Sequence, residues 1–255
     1  MPQGRTGAGW LPGAASVAAF VALWALAAAL VGQPNRLPSP VEVGRVIWDE
    51  AASGRLPLHM GATLGRVAAA FVLALSIGAA LGIALGRLAR LDRWLNAWVV
   101  ILLNLPALVV IVLCYIWLGL NEVAAILAVA INKIPLVTVM LREGARALSP
   151  ALDDMARVFR MSPVARLRHV VIPQLAPHLA SAARAGLALI WKIVLVVEFL
   201  GRSNGVGFKI HLAFSMFRVA EVLAYALSFV AVMLAVEYLI LRPVEARANR
   251  WRHDP

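Results

Sequence analysis

The residue types that could do chemistry in this 255-residue chain stand inside apolar runs, and the clearest are Lys133, Lys192 and Glu198. Each such group costs about 2.5 to 3.5 kcal/mol at mid-membrane on insertion scales, so it faces a bundle interior or an aqueous path. Two readings are open: pairing across helices, for example Lys133 with Glu198, or contact with a passing solute. Lys192 and Glu198 are six residues apart and point to different faces of one straight helix, so they do not answer each other. Asn104 with Pro106, and Asn132 with Pro135, either open backbone groups toward a path or mark packed kinks. Other chemistry is missing. A phosphate-binding P-loop needs Gly-Lys-Ser/Thr, and Lys133, Lys192 and Lys209 are each followed by isoleucine. The five histidines are scattered, no metal-ligand spacing or nucleophile elbow occurs, and Cys114 alone cannot close an intrachain disulfide. No catalytic residue, metal or cofactor is expected on this chain.

A second constellation is a polar, arginine-rich loop at residues 149–173. Ser149-Pro150 places an acceptor at a helix N-cap and a preset φ at the first helical position, with Asp153 and Asp154 near the positive end of the dipole. Leu152, Met155, Ala156 and Phe159 follow at i, i+3, i+4 and i+7, one apolar stripe that leaves Arg157 and Arg160 off it. Ser162-Pro163 repeats the start signal, and Val164, Leu167 and Val171 share a side of a second short helix until Pro173 and Pro177 punctuate the chain. These helices either lie on anionic lipid or offer a face to a groove on a soluble partner.

Composition places both constellations. At 62% hydrophobic residues and a mean hydropathy of +0.83 the chain is too apolar for a soluble domain, and its apolar runs have the length that spans a hydrocarbon layer. The expected fold is an all-α integral membrane bundle of six spans, at 13–31, 67–86, 94–118, 122–141, 178–200 and 221–241. The third, interrupted by Asn104, Pro106 and Gly119, reads as a shorter span followed by a broken or re-entrant piece. Alternate loops differ in basic residues. Arg5, Arg87, Arg90, Arg93, Arg142, Arg146, the arginines of the 149–173 loop and the tail at 242–255 fall in one set; the other holds only Arg36, Arg45, Arg55, Arg202, Lys209 and Arg218. Both termini and the loop are therefore expected in the cytoplasm. The formal charge of +11 is mostly topological, so nucleic acid is not an expected partner, and the basic tail is suited to touching anionic membrane lipid.

The first run also resembles a cleavable signal peptide, with Arg5 ahead of an alanine-rich segment; its full-span length favours an uncleaved helix. Residues 32–66 read as an outer segment in which Ser39-Pro40 opens an amphipathic helix over 41–52. Gly78, Gly82 and Gly86 recur at every fourth position, a row that lets another helix approach closely.

These residues resemble a known family. Asp154, Met155, Ala156, then Arg160, then Val170, Ile172 and Pro173 match the spacing of the EAA loop of binding-protein-dependent ABC importer permeases. Leu37-Pro38-Ser39-Pro40, Leu105-Pro106-Ala107, Trp191 with Glu198, and Ser203-Asn204-Gly205-Val206-Gly207 are similar to its nitrate/sulfonate/taurine branch. The resemblance covers nearly the whole chain and implies one permease domain over 1–255, a type I importer bundle in a bacterial inner membrane. It also implies core spans over 67–241 and an ATPase-docking loop at 149–173. The implied docking residues are Leu152, Asp154, Met155, Ala156, Phe159, Arg160, Ser162, Val170, Ile172 and Pro173, and the implied path residues are Asn104, Pro106, Asn132, Lys133, Lys192 and Glu198. Two ATPase subunits carrying ATP and Mg, a second permease copy, and a periplasmic or lipid-anchored binding protein would complete the assembly. The substrate implied is nitrate, an alkanesulfonate or taurine; relatives of this kind also handle heterocyclic vitamin precursors. A secondary transporter, a membrane enzyme and a signalling subunit are the other classes consistent with a polytopic chain. The sequence departs from the family motif with aspartate for glutamate, methionine for alanine and arginine for glycine, at 154, 155 and 160. Glycine there would supply φ > 0. With arginine, either the turn is rebuilt around Met161 and Ser162 or the helix runs on to Ser162.

Overall fold

A computed structural model describes residues 11–243, and every regular element among them is helical. In chain order these are α1 (Leu11–Val31), α2 (Pro40–Ala52), α3 (Arg55–Arg87), α4 (Ala89–Asn104), α5 (Ala107–Leu118), α6 (Glu122–Arg146), α7 (Pro150–Val158), α8 (Pro163–Arg166), α9 (Ile172–Gly201), α10 (Val206–Ser215) and α11 (Val219–Val236). Two π-turns, Leu167–Val171 and Glu237–Leu241, lead into α9 and out of α11. Arg5 and the tail beyond Pro243 lie outside the described residues.

Four stretches are long and apolar enough to cross a membrane: Pro12–Val31, Arg55–Arg87, Glu122–Arg146 and Val219–Leu241. The α4–α5 pair, bent by 97°, makes a fifth if it is one span. The bend falls where the sequence expected it. Pro106 has no N–H to donate, and Asn104 Nδ2 turns back to the Val100 carbonyl at 2.8 Å while Asn132 Nδ2 braces the Leu105 carbonyl at 3.4 Å. The buried Asn132 thus supports a packed kink. The expected fifth span, 178–200, corresponds to α9, which is 30 residues long, carries Arg184, Lys192 and Glu198, and is not among those four. Its place is in the core, packed on α3, α5, α6 and α10, and Trp191 meets the Phe229 ring edge-on at 5.6 Å.

The tightest helix pair is α3 on α6. The glycine row makes it possible: a Cβ built at Gly82 would lie 2.6 Å from the Thr138 carbonyl oxygen, and one at Gly86 2.6 Å from Ala145 Cβ. α3 begins at Arg55, so residues 55–66 of the expected outer segment are its opening turns rather than a loop. Apolarity alone could not mark that start, because Arg55, His59 and Arg66 dilute it. α2 is the amphipathic helix expected. Ser39 and Glu42 cap it reciprocally, the Ser39 N–H donating to Glu42 Oε2 at 2.7 Å and the Glu42 N–H to Ser39 Oγ at 3.3 Å. α1 meets the bundle mainly through α2, with Trp24 Nε1 donating to the Pro38 carbonyl at 3.0 Å.

Candidate functional site: an exposed loop helix and a polar clamp tied to one long helix

The 149–173 loop forms two helix starts as expected, but its fastening differs. Ser149 does not cap α7 with its side chain; its N–H donates to Gln174 Oε1 at 3.0 Å, tying the loop to α9. Ser162 does cap α8, accepting from the Ala165 N–H at 3.2 Å. Leu152, Met155 and Phe159 are exposed, Phe159 at 74%, and form an apolar face. Ala156, expected on that face, is 1% exposed and turned into the chain's own body. The stripe forms as its spacing predicts, but helical spacing cannot say which of its edges the chain covers for itself. Val170 is likewise buried while Ile172 is exposed. Pro173 does not end the helix. It falls in the first turn of α9, where a missing N–H is tolerated; just ahead of it the Ile172 N–H reaches back to the Leu167 carbonyl in a π-turn, Gln174 Nε2 donates to the Val170 carbonyl at 2.9 Å, and α9 then runs on through Pro177.

Arg160 is where the family motif has glycine, and neither expected rebuilding occurs. It takes the left-handed conformation itself, with φ +48°. Its N–H donates to the Arg157 carbonyl at 2.9 Å and the Met161 N–H to the Ala156 carbonyl at 3.0 Å. That pair of bonds is a Schellman close, which satisfies the last carbonyls of α7.

The acid that anchors α7 is Asp153, not the motif's Asp154. Asp153 lies 2.8 Å from Arg87 at the end of α3 and 2.9 Å from Arg166 on α8, and is 17% exposed. Burial pushes its carboxyl up, but the Arg166 hydrogen bond and the Arg87 charge outweigh it and hold the carboxyl below its ordinary range. Asp154 is 70% exposed and meets only Arg157, at 3.5 Å.

At the far end of α3 stands a polar clamp that sequence reasoning missed. Glu198, expected on the path, is fully buried, and its partner is Arg66 rather than Lys133. Arg66 Nη1 donates to Glu198 Oε1 at 2.6 Å and to the Asn204 carbonyl at 2.9 Å; Nη2 also reaches Asn204 Oδ1. The same guanidinium grips Glu122 at the start of α6 through Nε at 2.8 Å and Nη2 at 2.6 Å, and Arg202 shares Glu122 at 2.7 Å. Thr63 completes the far side, donating to Glu198 Oε2 at 2.9 Å and accepting from the Val206 N–H at 2.8 Å, while the Gly207 N–H donates to Glu198 Oε2 at 2.8 Å. Here the glycines of Ser203-Asn204-Gly205-Val206-Gly207 are explained. Gly205 has φ +108° and a Cβ there would stand 2.3 Å from Glu198 Cδ; one at Gly207 would stand 2.2 Å from the Leu195 carbonyl oxygen. The one available signal was that loop motif together with Glu198. Arg66 carried none, lying just ahead of the apolar run.

Next to the clamp, Glu50 of α2 receives Arg55 at 2.7 Å and the Tyr225 hydroxyl of α11, with Lys209 at 3.6 Å. Burial alone would raise this carboxyl; the Arg55 and Tyr225 hydrogen bonds and the Lys209 charge override it and bring it down to about 2. Of the remaining expected path residues, Asn104, Pro106 and Lys192 are exposed and Lys133 is half-buried. Among the described residues no group of three metal-ligating side chains occurs.

The described residues form an all-helical bundle with four to five stretches able to cross a membrane, an exposed apolar face on a short loop helix tied to one end of a long helix, and an ion-paired clamp toward the other, the architecture of a polytopic membrane protein. Residues 74–247 match the family described as binding-protein-dependent transport system inner membrane component. The chain belongs to that family and is a permease subunit of an ABC importer. It is 28% identical over 252 residues to an aliphatic sulfonates transport permease protein, SsuC, of Bacillus subtilis (strain 168), covering 98% of this chain and 91% of that one. The taurine transport system permease protein TauC of Escherichia coli (strain K12) is 24% identical, covering 91% of this chain and 86% of the relative. Among solved structures, the MetNI methionine ABC transporter in inward-facing conformations superposes with a TM-score of 0.58 at 19% identity, over 79% of this chain and 95% of that one. An amino acid ABC transporter superposes at 0.57 and 21%, over 74% and 92%. These two likenesses show the fold.

Proposed function

We propose that this permease forms the translocation path for a small anionic nutrient of the nitrate, alkanesulfonate or taurine type. Two copies would enclose the path, two ATPase subunits holding ATP and Mg would dock beneath, and a binding protein would deliver the solute from the other side. The near full-length similarity to a sulfonates permease supports the substrate class, with the taurine permease beside it. The arginine content of alternate loops supports an arrangement with the 149–173 loop and both termini in the cytoplasm, in a bacterial inner membrane.

The observation that carries the docking role is the open face of α7. Leu152, Met155 and Phe159 are apolar, exposed and held on a helix whose other side is fastened by Asp153 and Ala156. Burying a phenylalanine in a partner groove contributes about 2 kcal/mol, close to thirtyfold in affinity. Phe159→Asp replaces that gain with a charge to be desolvated. In proteoliposomes holding the complete complex, it is expected to abolish ATP hydrolysis stimulated by the binding protein while membrane insertion stays intact. Unchanged stimulation would refute the docking assignment.

A further inference from the structure

Charged side chains within the long helices are otherwise matched: Arg66 by Glu198 and Glu122, and Arg184 by Glu237. Lys133 and Lys192 are not. Among the described residues neither ammonium has a carboxylate within 4.0 Å or a hydrogen-bond acceptor. An ionised group at this depth without a protein partner is unfavourable unless water or a solute answers it.

The two lysines stand at the same depth. α6 and α9 run antiparallel, and three rungs set their register: Glu122 pairs with Arg202 at 2.7 Å, Val137 faces Gly186, and Gly144 lies under the His178 ring. Interpolating, Lys133 stands opposite residue 190, so Lys192 is about 3 Å further along the axis at 1.5 Å per residue. Lys133 is half-buried on α6. Lys192 belongs to a stripe with Leu189, Val196 and Leu200 that this chain's own packing leaves exposed. Hydrocarbon offers an ammonium no acceptor, so Lys192 on this stripe calls for water or a solute beside it.

We propose that Lys133 and Lys192 form a mid-depth binding station for the transported anion, the solute itself supplying the missing counter-charge. This rests on the anionic substrate class proposed above and assigns the residues that answer it. Lysine suits such a station, because an ammonium is a compact point charge with three rotatable donors, which accepts planar nitrate or a tetrahedral sulfonate without demanding one bidentate geometry. A pair of them on separate helices holds an anion loosely enough for it to leave, as conduction requires.

The test uses the complete complex in proteoliposomes, with labelled ethanesulfonate, nitrate and taurine as probes. Lys133→Met and Lys192→Met are each expected to lower ATP-dependent anion uptake by about tenfold or more, with binding-protein-stimulated hydrolysis within about twofold of the unsubstituted complex. Thermal stability is expected to hold or rise, since an unanswered charge has been removed. Lys133→Arg and Lys192→Arg keep the charge and are expected to retain most of the uptake. Anion uptake indifferent to both methionine variants overturns the station alone. So does a fall in stability that carries hydrolysis down with it, because that would make the lysines structural. A complex that moves an uncharged solute and none of the anions overturns the substrate class, and the station with it.

Discussion

Replacing Arg66 with methionine isolates the electrostatics of the clamp. Methionine keeps an apolar stem of similar reach and removes every donor. Arg66 is 5% exposed and Glu198 fully buried, so the substitution leaves a carboxylate in the interior with only the Thr63 hydroxyl and the Gly207 N–H. Breaking one side of a buried pair costs about 3 to 5 kcal/mol. Glu122 loses far less: it is 48% exposed and retains Arg202 at 2.7 Å, a loss of about 0 to 1 kcal/mol. Nearly the whole effect therefore sits at Glu198. Glu198→Gln should be milder, about 1 to 3 kcal/mol, because no bare charge remains and Arg66 still holds Glu122. The double variant Arg66→Met/Glu198→Met removes both charges and should recover at least half of the single loss, as apolar replacement of buried pairs commonly does. The assay is unfolding by sodium dodecyl sulfate in mixed micelles, followed by tryptophan fluorescence. A loss below about 1 kcal/mol for Arg66→Met, or a double variant as unstable as the single, would refute the reasoning.

Arg160→Gly relieves a left-handed arginine and should stabilise the α7 turn by about 1 kcal/mol, seen as slower hydrogen exchange at the Met161 amide; faster exchange would mean that the Arg160 side chain holds the turn. The Glu50 tie between α2 and α11 should depend on pH with a definite sign. Its carboxyl lies at about 2 against an ordinary value of 4.5, so its stabilisation is full above 4.5 and is lost as pH falls toward 2. Glu50→Gln should flatten that part of the stability profile, and an unchanged acid limb would show that other carboxylates dominate it.

What was legible in the sequence is what local patterns determine. The α4–α5 break follows from Pro106 and its flanking asparagine, the α2 start from Ser39-Pro40 with Glu42, and the close approach of α3 and α6 from glycines one turn apart. Arg160 was legible as a departure only through the family glycine it replaces, and the expected rebuilding of the turn does not occur, because Arg160 itself takes φ +48°. What escaped depends on partners far away in the chain. Glu198 and Arg66 are 132 residues apart, and no periodicity links them. Pro173 reads as a stop in the sequence, whereas it lies in the first turn of α9 behind a π-turn that has no strong local signature. Asp154 carried the family spacing, yet Asp153, one residue earlier, points to Arg87 and Arg166. A shift of one residue rotates a helical side chain by about 100°, which is enough to exchange anchor and surface.

These long-range pairings give α3 a particular standing in the fold. Arg87, at its loop-bearing end, is bonded to the helix that presents Phe159, and Arg66, toward its other end, is bonded to Glu198, Glu122 and Asn204. The two arginines are about 31 Å apart at 1.5 Å per residue. Between them runs uninterrupted helix without proline, pressed on α6 at Gly78 and Gly82, so close that an added methyl has no room. Bending needs a break in the hydrogen-bond ladder, and none occurs along that stretch. α3 therefore joins the exposed face of α7 and the polar clamp as one stiff element, whereas α9 reaches the same clamp from the loop through a π-turn and Pro177. Of the two helices linking loop and clamp, α9 has the deformable first turns and α3 the fixed length.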